Sequence, residues 1–234
     1  MKYQAVIFDL FGTLVDDFVS GIGQMNEELA GALGVPFGSF METWRRTAEL
    51  RSAGAFQSVQ ASLEHACGLI GVSASAEQIG TAVGVRLRYT RNALQPRADA
   101  LDTLTQLKTL GYKLGLISNC SIEIPILWPE TAFADLFDAV IFSGRDCLRK
   151  PDPRIYKLAC ERLGVAPERC VYVADGENFE LTAARRAGLN PILIRNPHRD
   201  KRKELFREAR EWEGLAVTGL SQVVELVHPI QKKD

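Results

Sequence analysis

The spacing of apolar positions divides the chain into parts of different predicted structure. Residues 5–8 form a short continuous run of apolar β-formers, which predicts a buried strand of a parallel sheet. From about residue 17 to residue 93, apolar positions instead recur every three or four residues, and turn signals rich in Gly, Pro and Ser interrupt them. This stretch predicts a block of helices that follows the first strand directly.

Beyond residue 95 the pattern alternates between the two types of element. Strands are predicted at 113–117, 139–142, 170–174, 191–194 and 215–218, and helices at 98–110, 153–163, 178–187 and 221–227. Alternation of this kind predicts an α/β fold whose parallel sheet carries helices on both faces. The helical block is then an insertion, so we expect a core of residues 1–16 and 96–234 and a helical cap of residues 17–95. The densely charged run 199–210 predicts a solvated helix face.

Composition excludes several classes of protein. The chain has 234 residues, of which 46% are hydrophobic, and its formal net charge is −1. This charge does not favour nucleic-acid binding, and no apolar run approaches the roughly 18 residues of a membrane span. No secretory signal pattern opens the sequence, and the five cysteines have no metal-type spacing. We therefore expect a cytoplasmic protein with reduced thiols; the oligomeric state is left open.

Polar side chains follow the predicted strands where those strands end. Asp9 comes directly after the first strand and precedes Gly12 and Thr13. In an open α/β sheet, ligands bind at the carboxyl ends of the strands, so Asp9 is a candidate nucleophile or metal ligand. The alternative is that Asp9 only caps a turn.

Two more groups have a similar position. Ser118 and Asn119 end the second strand, where a hydroxyl and an amide can bind the oxygens of an anion, although both are also common turn formers. Lys150 precedes two prolines that start a helix, and it is either a fixed positive charge in the site or a surface lysine.

A second acidic position ends the strand at 170–174. Asp175 and Gly176 follow this strand, and Glu180 comes shortly afterwards. Together with Asp9, these carboxylates would form the hard oxygen site that Mg²⁺ prefers.

In this order, the four segments resemble the motifs of the haloacid dehalogenase-like (HAD) hydrolase superfamily. The resemblance covers essentially the whole chain, including the helical block after the first motif. It implies a Rossmann-like parallel-sheet core with a mobile, all-helical cap, and a hydrolase that acts on a small molecule rather than on nucleic acid or a membrane.

The resemblance also implies roles for single residues. Asp9 would be the nucleophile that forms a covalent aspartyl intermediate. Ser118, with Asn119 beside it, would hydrogen-bond the transferring group, and Lys150 would neutralise negative charge. The metal ligands for Mg²⁺ would be Asp9, the backbone carbonyl of Phe11, Asp175 and Glu180, the last often through water. Thr13 would steady the loop on which substrate binds.

One position departs from the phosphatase pattern. Phosphatases of this family usually have a second Asp two residues after the nucleophile as a general acid, a role worth about 10²- to 10⁴-fold in rate. Here that position is Phe11, and haloacid dehalogenases also have an aromatic residue there because halide needs no proton. Arg45, next to Trp44, resembles a substrate-binding arginine of those dehalogenases; the alternative is a solvated helical arginine.

Three hypotheses follow. The first is a Mg²⁺-dependent phosphatase of a small phosphorylated metabolite, with a leaving group that departs without much protonation. The second is a metal-independent 2-haloacid dehalogenase that works through an aspartyl ester. The third is a non-catalytic phosphate-binding protein on the same scaffold.

Overall fold

The computed structural model describes residues 2–16, 21–195 and 205–229. Within these residues, six strands form one parallel sheet in the order β3-β2-β1-β4-β5-β6. The strands are β1 (Ala5–Phe8), β2 (Lys113–Ser118), β3 (Ala139–Phe142), β4 (Cys170–Ala174), β5 (Asn190–Ile194) and β6 (Ala216–Val217). The predicted α/β class is confirmed.

The central strand β1 is fully buried because both of its edges are paired and both of its faces are covered. Its residues alternate between the faces: Val6 and Phe8 join one hydrophobic cluster, whereas Ala5 and Ile7 join the other. Pairing continues beyond β1, where the Asp9 amide donates to the Val173 carbonyl at 2.9 Å. β1 lies between β2 and β4, where the strand order reverses, so the crevice at the strand ends lies beside Asp9.

Helices from the alternating part of the chain cover the two faces. Their bounds agree with the prediction to within two residues. They are α6 (Ala100–Thr109), α9 (Pro153–Leu163), α10 (Glu180–Arg186) and α12 (Ser221–Val227).

Between β1 and α6, the described residues contain helices and no strand, as the apolar spacing predicts. The helices are α1 (Ile22–Leu33), α2 (Phe37–Arg46), α3 (Ala48–Ser52), α4 (Val59–Ile70) and α5 (Ala76–Ala93). Their apolar faces form a third cluster, which includes Leu29, Phe40 and Leu63. The division into a core and a cap domain stays a prediction, and residues 17–20 lie outside the described part.

Three local features differ from the predicted pattern. Within the predicted helical block, α2 and α3 are separated at Thr47, whose hydroxyl donates to the Thr43 and Trp44 carbonyls. The helix expected at 178–187 begins only at Glu180, since Asn178 and Phe179 have φ values of 52° and 59°. The short helices α7 (Glu123–Leu127) and α8 (Ser143–Asp146) carry too few residues to show a period.

The charged run was expected to be solvated, and this is wrong at Glu208. Residues 199–204 lie outside the described part, and α11 (Arg207–Glu211) follows them. Glu208 is buried, and its carboxylate accepts hydrogen bonds from the amides of Leu181 at 2.9 Å and Thr182 at 2.6 Å, which compensate for the lost solvation. Of the helices described, none has the length and apolar character that crossing a membrane would require.

Candidate active site

Except for Arg45, the predicted site residues lie together at the carboxyl ends of β1, β2 and β4. A cavity of about 60 Å³ opens there between three loops. Its lining residues are Asp9, Phe11, Asn119, Lys150, Glu177, Asn178 and Glu180.

Asp9 is buried, with both carboxylate oxygens held by hydrogen bonds. Lys150 Nζ donates to Oδ1 at 2.5 Å, and the Thr13 hydroxyl donates to Oδ2 at 3.1 Å. Thr13 reaches back four residues because Gly12, at φ 81°, turns the chain tightly after β1. The carboxylate is therefore oriented before any ligand binds.

Lys150 is the buried cation of the site. Its ammonium group has three donors, and three acceptors surround it: Asp9 Oδ1, Glu180 Oε2 at 2.6 Å and the Tyr172 hydroxyl at 3.1 Å. Burial alone lowers the pKa of Lys150, but the carboxylates of Asp9 and Glu180 outweigh it and the net pKa is raised. The side chain is therefore charged at neutral pH.

Asn119 fixes the backbone that carries Lys150. Its Nδ2 donates to the Lys150 carbonyl at 2.9 Å, and its Oδ1 accepts the Lys150 amide at the same distance. This reciprocal pair joins the end of β2 to the loop before α9. The side-chain amide of Asn119 therefore fixes the position of the loop that carries Lys150.

Glu180 is the most buried carboxylate of the site, at 1% exposure. Its Oε2 accepts from Lys150 and, at 2.7 Å, from the Tyr172 hydroxyl. Its Oε1 accepts the amides of Gly176 and Glu177, both at 3.2 Å. Glu180 therefore holds the turn after β4 in place as well as the ammonium.

Asp9, Asp175 and Glu180 form a buried acidic trio. Each offers one oxygen, and these oxygens all lie within 4.8 Å of one another. When ionised, the three carboxylates and the Lys150 ammonium carry a net charge of −2, which is costly to bury. Oxygen donors of this spacing and charge fit a divalent cation such as Mg²⁺.

Ser118 differs from its neighbours in the site. Its side chain is 1% exposed, and Oγ has no hydrogen-bond partner among the described residues. Buried hydroxyls are usually paired, so an unpaired one at a strand end is a candidate donor to a ligand.

The two positions with dehalogenase character lie in different surroundings. Phe11 is half-buried and lines the cavity. Arg45 is exposed on α2 and is not among the lining residues. Its role in substrate binding stays a prediction.

Sequence reasoning did not assign a role to Tyr172 or to Asn178. A tyrosine inside a fully buried strand needs a partner for its hydroxyl, and this is the signal that could have identified Tyr172. Burial, together with the Glu180 carboxylate, raises the pKa of Tyr172 well above its usual value. It is therefore a neutral donor to Glu180.

Comparisons of the sequence with a family profile and with single proteins indicate the same family. A profile described as haloacid dehalogenase-like hydrolase matches residues 3–188. An (S)-2-haloacid dehalogenase of Pseudomonas fluorescens is 32% identical over 181 residues, which is 74% of this chain and 76% of the relative. A glyceraldehyde 3-phosphate phosphatase of Methanothermobacter thermautotrophicus is 34% identical over 136 residues, which is 57% of this chain and 58% of the relative.

Solved structures resemble the whole chain in fold. A 2-haloacid dehalogenase from Pseudomonas syringae has a TM-score of 0.71 and 24% identity, and the match covers 96% of this chain and 98% of that one. A HAD family enzyme from Bacteroides thetaiotaomicron, in complex with magnesium and inorganic phosphate, has a TM-score of 0.62 and 18% identity, with 83% and 96% covered. A dehalogenase and an enzyme in complex with magnesium and phosphate therefore share this fold.

Proposed function

The chain belongs to the haloacid dehalogenase-like hydrolase family, and from this premise we propose that it is a Mg²⁺-dependent phosphatase of a small phosphorylated metabolite. The observation that carries the proposal is the buried acidic trio of Asp9, Asp175 and Glu180. A metal-independent reaction has no use for a net charge of −2 at this place, whereas a bound Mg²⁺ would compensate it and polarise a phosphoryl oxygen.

In the first step, a carboxylate oxygen of Asp9 forms a bond to phosphorus. The bond from phosphorus to the leaving group breaks, and its electron pair departs with that group. Lys150 compensates the charge of the phosphoryl oxygens, for which it exchanges one of its present acceptors. Ser118 Oγ, which has no hydrogen-bond partner among the described residues, supplies a further donor.

In the second step, water attacks the aspartyl phosphate. The bond between phosphorus and the Asp9 oxygen breaks, inorganic phosphate leaves, and the carboxylate is restored. Asn119 acts here through its clamp on the Lys150 backbone. Asn119 would keep the Lys150 ammonium within hydrogen-bond distance of Asp9.

Phe11 restricts the leaving group. A phenyl ring cannot protonate a departing alkoxide, and general acids of this kind contribute about 10²- to 10⁴-fold. Substrates whose leaving group is stable as an anion do not need this help. We therefore expect acyl phosphates and aryl phosphates to be turned over faster than phosphates of simple alcohols.

A second candidate is the 2-haloacid dehalogenase. Phe11 favours it, because halide departs without a proton, and so does the similarity to (S)-2-haloacid dehalogenases. In that reaction Asp9 attacks the carbon that bears the halogen and forms an ester, with no use for Asp175. A third candidate, a protein that binds phosphate without turnover, would also use the unpaired Ser118 hydroxyl.

The test is phosphate release from acetyl phosphate and p-nitrophenyl phosphate, with Mg²⁺ and with EDTA. We expect turnover that requires Mg²⁺ and falls at least 10³-fold in Asp9→Asn, because the amide is a poor nucleophile. Asp16→Asn is the matched control, since Asp16 is exposed and close in sequence.

Each alternative has its own result in the same protein preparation. Chloride release from 2-chloropropionate in EDTA, without phosphate release, would replace the phosphatase with the dehalogenase. Phosphate binding by calorimetry with no turnover of either substrate type would support the non-catalytic protein.

A further inference from the structure

Two buried thiols contact each other in the core of the protein. The sulfur atoms of Cys160 and Cys170 lie 3.7 Å apart, which is within hydrogen-bond distance for a thiol. Cys160 is 3% exposed and Cys170 is fully buried, and both belong to the hydrophobic cluster that contains Ile7. Both are free cysteines, so the pair is reduced in this structure. The proposed reaction uses neither of them.

The pair lies at the end of the sheet opposite to the candidate active site. Cys170 is the first residue of β4, whereas Asp175 of the acidic trio follows the other end of that strand. At about 3.3 Å per residue, these two positions are roughly 16 Å apart. Cys160 lies in the last turn of α9, four residues before Gly164, at which that helix ends. A bond between the two sulfurs would therefore leave the side chains of the site in place.

A short loop covers the pair. Residues 164–169 join α9 to β4, and the Cys170 sulfur lies 3.5 Å from the carbonyl oxygen of Ala166 in this loop. Ala166, Glu168 and Arg169 are exposed, so the cover consists largely of surface residues. Loops of this kind open locally more often than the core elements that they join. A small oxidant would therefore reach the sulfurs without unfolding of the sheet.

The two sulfurs are close enough to form a covalent bond. Sulfur atoms in a disulfide are about 2.05 Å apart, so the pair must approach by roughly 1.7 Å. Each cysteine stands at the end of its element, next to the loop, where a small displacement disturbs few other contacts. Hydrogen bonding to Cys170 lowers the pKa of Cys160, although burial opposes this. Because the thiolate is the nucleophile, Cys160 is the sulfur that reacts first.

We propose that Cys160 and Cys170 form a reversible disulfide when the protein meets hydrogen peroxide. The Cys160 sulfur attacks one peroxide oxygen, the O–O bond breaks, and the departing hydroxide takes up the Cys160 proton and leaves as water. The Cys170 sulfur then attacks the sulfur of the Cys160 sulfenic acid. The S–S bond forms, the S–O bond breaks, and a second water leaves with the Cys170 proton. The pair loses two electrons, and one peroxide is reduced to two waters.

The disulfide would act on the stability of the fold and not on the reaction. It closes the chain across the loop between α9 and β4, which restricts the unfolded state. We expect the oxidised protein to have a Tm about 5–10 °C above that of the reduced protein. This modification site is independent of the proposed phosphatase function, and its test needs no turnover.

Peptide mapping tests the bond directly. The purified native protein is treated with hydrogen peroxide, the remaining thiols are blocked with iodoacetamide, and the protein is digested with trypsin. We expect the peptide of residues 158–162 to be linked to the peptide of residues 170–185, and the link to disappear after dithiothreitol. Calorimetry of the oxidised and reduced samples measures the difference in Tm.

Single variants show which thiols are responsible. Cys160→Ala and Cys170→Ala should each abolish the link and the rise in Tm. Cys67→Ala is the matched control, because Cys67 is also buried but belongs to the cluster of the cap helices. Cys147→Ala removes the exposed cysteine, which peroxide can oxidise on its own, and should retain the link.

Unlinked Cys160 and Cys170, both blocked by iodoacetamide after a treatment that oxidises Cys147, would overturn the proposal. So would oxidation of Cys160 to a sulfinic acid without a link to Cys170. The two cysteines would then only fill space in the core, as buried cysteines often do. The mapping of the native protein gives this answer even if a variant does not fold. A link that leaves Tm unchanged would contradict the stabilising effect.

Discussion

The Lys150 ammonium donates hydrogen bonds to three side chains of the candidate site, so all three of its donors are in use. A phosphoryl group gains a hydrogen bond from Lys150 only if one acceptor withdraws. The neutral Tyr172 hydroxyl, at 3.1 Å, is a weaker partner than the Asp9 or Glu180 carboxylates. In the proposed phosphatase, Tyr172 would therefore yield its place at Lys150 to the phosphoryl group and keep its hydrogen bond to Glu180.

Replacing Tyr172 tests this role. Tyr172→Phe removes a hydrogen bond to a charged group, which is worth about 1.5–3 kcal/mol, so we expect kcat to fall roughly 10- to 150-fold. The Mg²⁺ concentration for half-maximal activity rises as well, because Glu180 loses a donor. Steady-state kinetics against substrate and against Mg²⁺ measure both effects.

Tyr112→Phe is the control for this comparison. Tyr112 is also buried, and its hydroxyl donates at 2.7 Å to the Val227 carbonyl, away from the cavity. This variant should lose stability without a change in kcat or Mg²⁺ dependence. If both variants behave alike, Tyr172 is only a core residue.

The sequence allows the prediction of the acids and the lysine, but not of Tyr172. Asp9, Lys150 and Asp175 stand beside strand ends or helix starts, and one sheet edge brings all such positions together. Tyr172 stands within an apolar run, where an aromatic residue is typical of the core. Its contact with Glu180 depends on the left-handed turn at residues 178–179, which a helical period does not reveal.

Among the helices, α10 shows how a short element can carry a site residue. It has seven residues, too few for a stable isolated helix, and it begins with Glu180. The Glu208 carboxylate from α11 accepts two amides of its first turn, where a negative charge is favourable. The position of Glu180 therefore depends on an element almost thirty residues later.

We predict that Glu208→Gln lowers the free energy of unfolding by about 1–2 kcal/mol, since a charged acceptor at a helix start is lost. Activity should fall as well, because Glu180 loses a fixed backbone. Urea denaturation and phosphate release measure the two changes. Glu211→Gln in the same helix breaks only an exposed pair with Arg207, and a comparable loss there would contradict this explanation.

Most strands and helices after residue 95 could be predicted closely from their periodicity, whereas α7 and α8 are too short to show a period. The contacts between elements could not. Arg86 and Glu123 lie 37 residues apart on different helices, and nothing in either segment indicates the other. The sequence also does not show which residues of α2 are buried against other helices. Trp44 is buried, whereas its neighbour Arg45 is exposed.

For the molecule as a whole, Mg²⁺ binding by the acidic trio, as proposed, would stabilise the folded state. A ligand that binds only the folded state stabilises it, and Mg²⁺ at tenfold above its dissociation constant adds about 1.4 kcal/mol. We predict a rise in Tm of about 3–6 °C for a chain of this size, measured by calorimetry. The rise should vanish in Asp175→Asn; its persistence there would mean that Mg²⁺ binds elsewhere.

The central position of β1 in the sheet has a consequence for protein synthesis. Residues 5–8 leave the ribosome first, yet their partners on the two sides are residues 113–116 and 170–173. At roughly 5–20 residues per second, the second partner follows about 8–30 s later. The first partner follows about 5–22 s after β1, and until then the nascent chain carries an unpaired apolar segment; its second edge stays open until residues 170–173 emerge. Chaperone capacity during translation, rather than the stability of the finished fold, would then set the yield of expression.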